Sequence, residues 1–405
     1  MLRIGNVPTI DLASQFGTPL YVYDAAVVRR QIANVKRAFA ALPIRPFYAM
    51  KANANLAILR LVREQGFGCD AVSPGEIYLA KRAGFASKDI WFTCSNVSDE
   101  DLQSIHDPEI VINVNSMSEI DRVIALDLPN RIALRVNPDV GAGHHQDVVT
   151  AGGGVKFGID LAELPSARMV VEDSGRRVVG LHAHIGSGID HIEPLLESAR
   201  RLLEASTEFD HLRFINFGGG ISVPYRPDET PFPIDDYGTE LTRVADHLLR
   251  ARNLEAIVEP GRYVVAQCGT LLARVTAMRV SSGMTWLGVD TGFNHLVRPS
   301  KYGAYHHITN CNPASDSFEN VIVAGNLCES GDVFTRDSDG NVVTRRIERT
   351  NVGDLLAFHD AGAYGFSMAS LYNARLLPTE VLVDGDDVQV VRERQTLEDL
   401  ARGME

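Results

Sequence analysis

The chain predicts a parallel (β/α)8 barrel joined to a second, β-rich domain. Three observations carry this expectation. Short, nearly continuous apolar runs alternate with helical patterns as far as about residue 258, as strands buried on both faces require. Beyond about residue 262 the apolar runs continue, but few amphipathic helices separate them. Polar and special residues stand at the C-terminal ends of the early runs, which is where a barrel carries its chemistry.

The elements follow in order. After Leu20-Tyr21-Val22-Tyr23, Asp24 can cap a helix whose apolar residues recur at Val27, Val28, Ile32, Val35 and Phe39. Strands are expected at 46–50, 69–72, 90–93, 110–114, 131–136, 178–183, 213–217 and 255–258, and helices at 55–65, 74–83, 99–105, 117–126, 190–206 and 235–251. In the second domain Val264-Val265, Leu271 to Val275, Trp286 to Val289, Val321 to Val323 and Leu355 to Phe358 read as strands, and the tail 379–386 ends on a turn signal. The barrel is assigned to residues 24–261, and the β-rich domain to residues 1–23 and 262–405.

With 405 residues, 45% hydrophobic and 22% charged, the chain can build two substantial cores. A net charge of -13 argues against nucleic acid or an acidic membrane surface as partner, although local arginines can still hold an anionic ligand. The five cysteines, Cys69, Cys94, Cys268, Cys311 and Cys328, are odd in number, scattered and without Cys-x-x-Cys spacing, which suits a reducing compartment. No basic-then-apolar leader or membrane-length apolar run is present, so a cytoplasmic location is expected. The pairs His144-His145 and His306-His307 lack metal-ligand spacing, and no metal is expected.

Lys51, Asp70, Asn113, Asn115, Asn137, His184, Gly218-Gly219-Gly220 and Glu259 fall at the ends of the expected barrel strands. Lys51 closes the apolar run Phe47-Tyr48-Ala49-Met50. A strand-end lysine can simply snorkel to solvent. Desolvated, it loses its proton more readily and becomes a nucleophile toward carbonyls, and the concentration of polar residues on one rim favours that reading. Gly218-Gly219-Gly220 is either a tight turn or an anion cradle after strand seven. Gly152-Gly153-Gly154 reads as a flexible loop. The run Gly66-Phe67-Gly68-Cys69-Asp70-Ala71 has a G-x-G-x-x-A form but follows a helix, which excludes a dinucleotide site there.

Glu259, in Glu259-Pro260-Gly261-Arg262, needs a cationic or protonated partner if buried: Arg262, or a pyridinium nitrogen. His182 and His184 flank Ala183, and only one of the two is expected to point inward. His184 could stack on a planar ligand or be an ordinary hydrogen-bonded histidine. Cys328, beside Glu329 in a glycine-containing loop, is either inert packing or a proton donor at a site edge. Arg262 and Arg298, with Tyr302 nearby in sequence to Arg298, could grip a carboxylate or be surface residues.

Seven blocks in order extend this reading: Tyr48-Ala49-Met50-Lys51-Ala52-Asn53, His184-Ile185-Gly186-Ser187, Gly218-Gly219-Gly220, Glu259-Pro260-Gly261-Arg262, Arg298-Pro299 with Tyr302-Gly303-Ala304-Tyr305-His306, Cys328-Glu329-Ser330-Gly331-Asp332, and Gly362-Ala363-Tyr364-Gly365 with Ser367-Met368. Together they resemble the fold-type III pyridoxal-phosphate decarboxylases, in particular the diaminopimelate decarboxylases. The resemblance implies an alanine-racemase-like barrel with a β-sandwich or β-barrel domain, working as a homodimer whose sites lie at the interface, with the Cys328 loop supplied by the second subunit. It implies that Lys51 forms the Schiff base with pyridoxal 5'-phosphate, that His184 stacks on its ring, and that Glu259 meets its ring nitrogen. Gly219, Gly220, Gly261 and Arg262 would hold the phosphate, with Asp70, Ser187 and Tyr364 completing the cofactor set. Arg262, Arg298, Tyr302, Glu329 and Tyr364 would contact an amino-acid substrate, and Cys328 would return a proton to the α-carbon after carbon dioxide leaves. Related racemases pair the ring nitrogen with arginine, so Glu259 implies decarboxylation.

The expected reaction is conversion of meso-diaminopimelate to L-lysine. Departures from the common pattern keep a second expectation beside it. Gly188 stands where glutamine is usual, Leu376-Leu377 lie in a run that usually carries Arg-Pro-Arg, and Gly141-Ala142-Gly143-His144-His145 is a minority version of its loop. Relatives in siderophore, antibiotic or polyamine synthesis decarboxylate other carboxylated amino acids, and a non-catalytic regulatory relative is the remaining alternative.

Overall fold

The structure is a computed structural model that describes residues 1–93, 95–143, 145 and 149–404; Cys94 and His144 lie outside the described residues. The chain divides into two compact units, one of residues 29–223 and 231–264, the other of residues 1–28, 224–230 and 265–405. Residues 224–230 therefore group with the β-rich unit, although they lie inside the sequence span of the barrel.

The first unit is a closed parallel barrel of eight strands: β1 (Ile44–Ala49), β2 (Gly68–Ala71), β3 (Ile90–Thr93), β4 (Val111–Val114), β5 (Arg131–Asn137), β6 (Val178–His182), β7 (Phe214–Asn216) and β8 (Glu255–Val258). Each strand pairs with the next, and β8 pairs with β1 to close the ring. All eight apolar runs expected from the sequence form these strands. Several of the loops leaving them end on residues that cap the following helix. Asn55, Ser73, Ser98 and Ser116 each accept from a backbone N–H in the first turn.

Within the barrel unit the helix Leu164–Asp173 has no counterpart among the expected elements. Its Pro165 reads as a breaker, but proline is tolerated in the first helical turn, and its buried stripe of Leu164, Ala167 and Val171 is narrow. The pair Val264-Val265 corrects the opposite error. It was expected as a strand, yet it ends the short helix Arg262–Val265, where Val264 N–H donates to the Gly261 carbonyl at 3.1 Å. Two β-branched residues suggest extended chain, but the Pro260-Gly261 turn sets the local path.

The barrel interior is layered, because residues two apart on a strand share a face. Phe47, Trp91, Val111, Ala133, Phe214 and Ile257, with Val179, form an apolar cluster. Its Phe47 and Trp91 rings are 4.6 Å apart and its Trp91 and Phe214 rings 4.2 Å. At the matching positions β2 and β6 carry Gly68 and Gly180, where a Cβ would come within 2.5 Å of the Phe47 ring and 1.9 Å of the Phe214 ring. Two residues further along each strand stand Ala49, Asp70, Thr93, Asn113, Arg135, His182, Asn216 and Glu259, all buried. Seven of these eight are polar, so the layer above the plug is a ring of hydrogen-bonding groups.

In the second unit the strands Arg345–Glu348, Phe318–Ala324, Met284–Val289, Gly269–Ser281, Leu20–Asp24, Thr379–Asp384 and Asp387–Arg392 are neighbours in that order. The long strand Gly269–Ser281 joins the halves. Its first part pairs with Leu20–Asp24 and Leu355–Phe358, and its second part with Met284–Val289. Leu12, Leu20, Val22, Leu272, Leu355, Val381 and Val383 pack into one core cluster.

Candidate active site

In the barrel unit β1 ends at Ala49, and Met50–Ala52 make a single 3-10 turn that sets Lys51 just beyond the strand. Its neighbours Met50 and Ala52 are buried, while Lys51 is half-buried. Asn53 holds the turn, accepting from Tyr48 Oη through its carbonyl at 2.9 Å and from Asn55 N–H through its side chain at 3.0 Å.

Gly218-Gly219-Gly220 follows β7. Gly218 and Gly220 take φ of +68° and +102°, which L side chains rarely adopt. A Cβ on Gly219 would lie 2.1 Å from the Glu259 carbonyl oxygen, so the turn admits no side chain at all. Gly219 N–H donates to His184 Nδ1 at 3.2 Å, leaving that imidazole as an acceptor at Nδ1. Arg262, at the start of the next helix, donates from Nη2 to Ser187 Oγ at 2.9 Å.

Glu259 is buried at 4% exposure. Its Oε1 accepts from Asn216 Nδ2 at 2.5 Å, and its Oε2 lies 3.2 Å from His182 Nε2. Arg262, one of the expected partners, donates to Ser187. The expectation that only one of His182 and His184 faces inward is also corrected. Residues two apart share a strand face, and both imidazoles act on Glu259.

Two acids of one layer are pushed in opposite directions. Burial raises the Asp70 pKa, the Glu259 charge raises it further, and Lys51 with the Thr93 hydrogen bond offsets only part. Burial also raises Glu259, but His182, His184 and Asn216 outweigh it and hold this carboxyl below the ordinary range. Burial and the neighbouring charge thus favour the protonated form of Asp70, while the imidazoles and Asn216 favour the ionised form of Glu259. Burial, followed by the Lys51 and Arg135 charges, holds His184 well below its ordinary pKa, as a neutral ring.

These residues fit the cofactor that the resemblance implies. A half-buried amine, an ionised carboxylate and a turn closed to side chains match an aldehyde, a protonated ring nitrogen and a phosphate. Among the described residues no cluster of three or more His, Cys, Asp or Glu side chains is arranged to hold a metal ion. No described helix is long and apolar enough to cross a membrane.

The remaining expected residues belong to the β-rich unit. Arg298 is 2% exposed, donates from Nη1 to His306 Nε2 at 2.9 Å, and places its guanidinium 4.5 Å from the Tyr225 ring centre. The loop carrying Cys328 and Glu329 winds around buried Asp332, whose carboxylate accepts from Phe293 and Leu327 N–H groups at 2.7 and 2.8 Å. Cys328 is exposed, and its N–H donates to Asn373 Oδ1 at 2.7 Å. Cys69, Cys268 and Cys311 are buried thiols. Tyr302 is half-buried and ends the short helix Arg298–Tyr302, and Tyr364 takes a φ of +56°. The sequence departures serve the backbone: Gly188 has a φ of +74°, the Leu376 carbonyl accepts from His295 Nε2 at 3.0 Å, and Leu377 N–H donates to Gln395 Oε1 at 3.0 Å.

Sequence reasoning passed over Thr93, Asn216 and the role of His182. The signal was present as a lone polar residue near the end of each apolar run, two positions after a plug residue, as in Phe214-Ile215-Asn216.

Comparison with known proteins agrees with the geometry. The family profile described as "Pyridoxal-dependent decarboxylase, pyridoxal binding domain" matches residues 25–266. The diaminopimelate decarboxylase of Methanothermobacter thermautotrophicus is 45% identical over 99% of this chain and 95% of its own length. That of Escherichia coli is 40% identical over 96% of this chain and 94% of its own. The crystal structure of the Helicobacter pylori diaminopimelate decarboxylase complexed with L-lysine superimposes with a TM-score of 0.89 at 32% identity, covering 97% of this chain and 98% of that one. The chain belongs to the pyridoxal-dependent decarboxylases, within the diaminopimelate decarboxylase family.

Proposed function

We infer that this chain is a pyridoxal-phosphate-dependent carboxy-lyase that converts meso-2,6-diaminopimelate to L-lysine and carbon dioxide. The observation that carries the reading is Glu259, a buried carboxylate of the polar ring that accepts from Asn216 and is faced by His182. Lys51 would hold the cofactor covalently, Glu259 its ring nitrogen, and the Gly218–Gly220 turn with Gly261 and Arg262 its phosphate. His184, neutral and fixed by Gly219, would lie against the ring, while Asp70, Ser187 and Tyr364 complete the cofactor set. When bound, pyridoxal phosphate supplies an electron sink for the pair left on the α-carbon as carbon dioxide departs.

The protein's own part is to hold charge and move protons. An anionic Glu259 favours a protonated ring nitrogen, which strengthens that sink. A protonated Asp70 adds no second negative charge to the same layer. The reading assigns the proton delivered to the α-carbon to the Cys328 thiol, and recognition of the substrate to Arg262, Arg298, Tyr302, Glu329 and Tyr364. A homodimer is part of the same reading.

The test is a substrate panel that follows carbon dioxide and product amine. Release of L-lysine from meso-diaminopimelate in preference to lysine, ornithine or arginine as substrates is the expected result. No turnover of diaminopimelate alongside turnover of another amino acid overturns the assignment.

A further inference from the structure

The polar ring contains a continuous chain of contacts that the reading above leaves unused. Asp70 Oδ1 accepts from Thr93 Oγ1 at 2.5 Å, and Thr93 Oγ1 accepts from Asn113 Nδ2 at 3.5 Å. The same amide meets His182 Nδ1 at 2.7 Å. His182 Nε2 then lies 3.2 Å from Glu259 Oε2, and Asn216 bridges Glu259 to the glycine turn by accepting from Gly218 N–H at 2.9 Å. One buried line thus joins the protonated acid, the ionised acid and the first residue of that turn.

His182 is the link whose chemistry is most constrained. An amide N–H can only donate, so Nδ1 of His182 accepts and its ring proton sits on Nε2, facing Glu259. The opposite tautomer would set two lone pairs against each other at 3.2 Å in a site without bulk water. Among the described residues His182 Nε2 has no hydrogen bond of full geometry, and the Glu259 carboxylate at 3.2 Å is its ionic neighbour. A histidine kept only for packing would not need a carboxylate there, since a buried imidazole with an unused nitrogen costs more than an apolar side chain of similar size. Burial lowers the His182 pKa despite the pull of Glu259, in keeping with a neutral ring. The groups facing this line are the cations Lys51 and Arg135 and the neutral imidazole of His184.

We propose that His182 is a positioning residue for the decarboxylation: its neutral imidazole, oriented by Asn113, fixes the Glu259 carboxylate in the place and charge state that meet the ring nitrogen. The proposal rests on the reading of Glu259 given above. It adds that Glu259 works through a partner two strands away in the barrel ring, and that the line ends at Asp70, the acid whose protonated form the Glu259 charge favours.

The experiment compares His182→Leu with His182→Gln, whose amide can again present a donor toward Glu259. The measurements are kcat, KM for diaminopimelate, the cofactor dissociation constant, and the pH dependence of the visible absorbance of the lysine-linked cofactor. His182→Leu is expected to lower kcat about 10- to 100-fold, with KM changed far less, and to shift the absorbance–pH curve, whereas His182→Gln recovers most of both. Equal losses in the two variants, or wild-type values in both, overturn the proposal. Glu259→Gln separates the two readings. If it is severely impaired while His182→Leu is not, only the role of His182 fails; if it behaves as wild type, the reading of Glu259 fails first. Should His182→Leu not fold, nitrogen-15 NMR of the wild-type holoenzyme labelled at histidine decides. A neutral ring protonated at Nε2 is expected for His182, and a ring protonated at Nδ1 alone overturns the proposal.

Discussion

The two inner layers of the barrel are built on the same strands, two residues apart, and are opposite in character. The lower layer is a plug of Phe47, Trp91, Val111, Ala133, Phe214 and Ile257, packed ring against ring with glycines admitting the larger side chains. The upper layer is Asp70, Thr93, Asn113, Arg135, His182, Asn216 and Glu259, equally buried and almost entirely polar. Apolar burial of the first kind stabilises the fold by about 25 cal/mol per Å². A ring of the second kind contributes little net stability, because each group gives up water for a partner of similar strength. The lower layer sets the barrel, and the upper layer uses that rigidity to keep unlike charge states side by side.

That division predicts separable failures. The largest effect is expected at the mouth. Lys51→Met should lower kcat by at least about 10³-fold, the scale lost when a covalent catalyst is removed, while thermal denaturation of the cofactor-free protein stays near wild type. Residual activity within tenfold of wild type would place the covalent step on another residue. Trp91→Ala should do the reverse. Loss of a buried indole between two rings should cost about 3–5 kcal/mol of stability, read as an earlier thermal or denaturant transition, with the pH dependence of cofactor absorbance unchanged in the protein that remains folded. A spectral shift without a stability loss would mean that the plug also tunes the site, and the comparison would collapse.

How far the sequence announces these layers differs between them. The eight strands were legible because parallel strands buried on both faces read as unbroken apolar runs. Lys51, Glu259 and the Gly218–Gly220 turn were legible because each is anomalous where it stands. Thr93, Asn113 and Asn216 were not assigned a partner, since a polar residue within an apolar run says that a hydrogen bond exists but not to what. His182 was misjudged by a strand-face argument that should have counted in twos. The helix Leu164–Asp173 was hidden by a proline in its first turn, and the helical Val264-Val265 by β-branched side chains whose propensity the neighbouring turn overrides. What the sequence withheld was pairing across the barrel, which depends on strand register and not on any local pattern.

The smallest predicted effect tests the upper layer where it is least conventional, in the unequal sharing of one proton. Asp70 has its folded-state pKa raised above the unfolded value of about 3.9, first by burial and then by the Glu259 charge. Between those two pKa values the folded protein keeps a proton that the unfolded chain has released, so the folded state binds more protons and stability falls as pH rises. Glu259 has the opposite sign. Its lowered pKa contributes stability that is present above the ordinary glutamate range and lost only in acid. Between about pH 5 and pH 8 Asp70 therefore acts alone of the two, with a slope of at most about 1.4 kcal/mol per pH unit. Asp70→Asn keeps the shape and an acceptor for Thr93 but has no proton to lose. It should flatten the decline of the thermal midpoint across that range by a few degrees, relative to wild type in the same buffers. An unchanged slope would mean that Asp70 is ionised in the fold, and that the polar ring carries two negative charges instead of one.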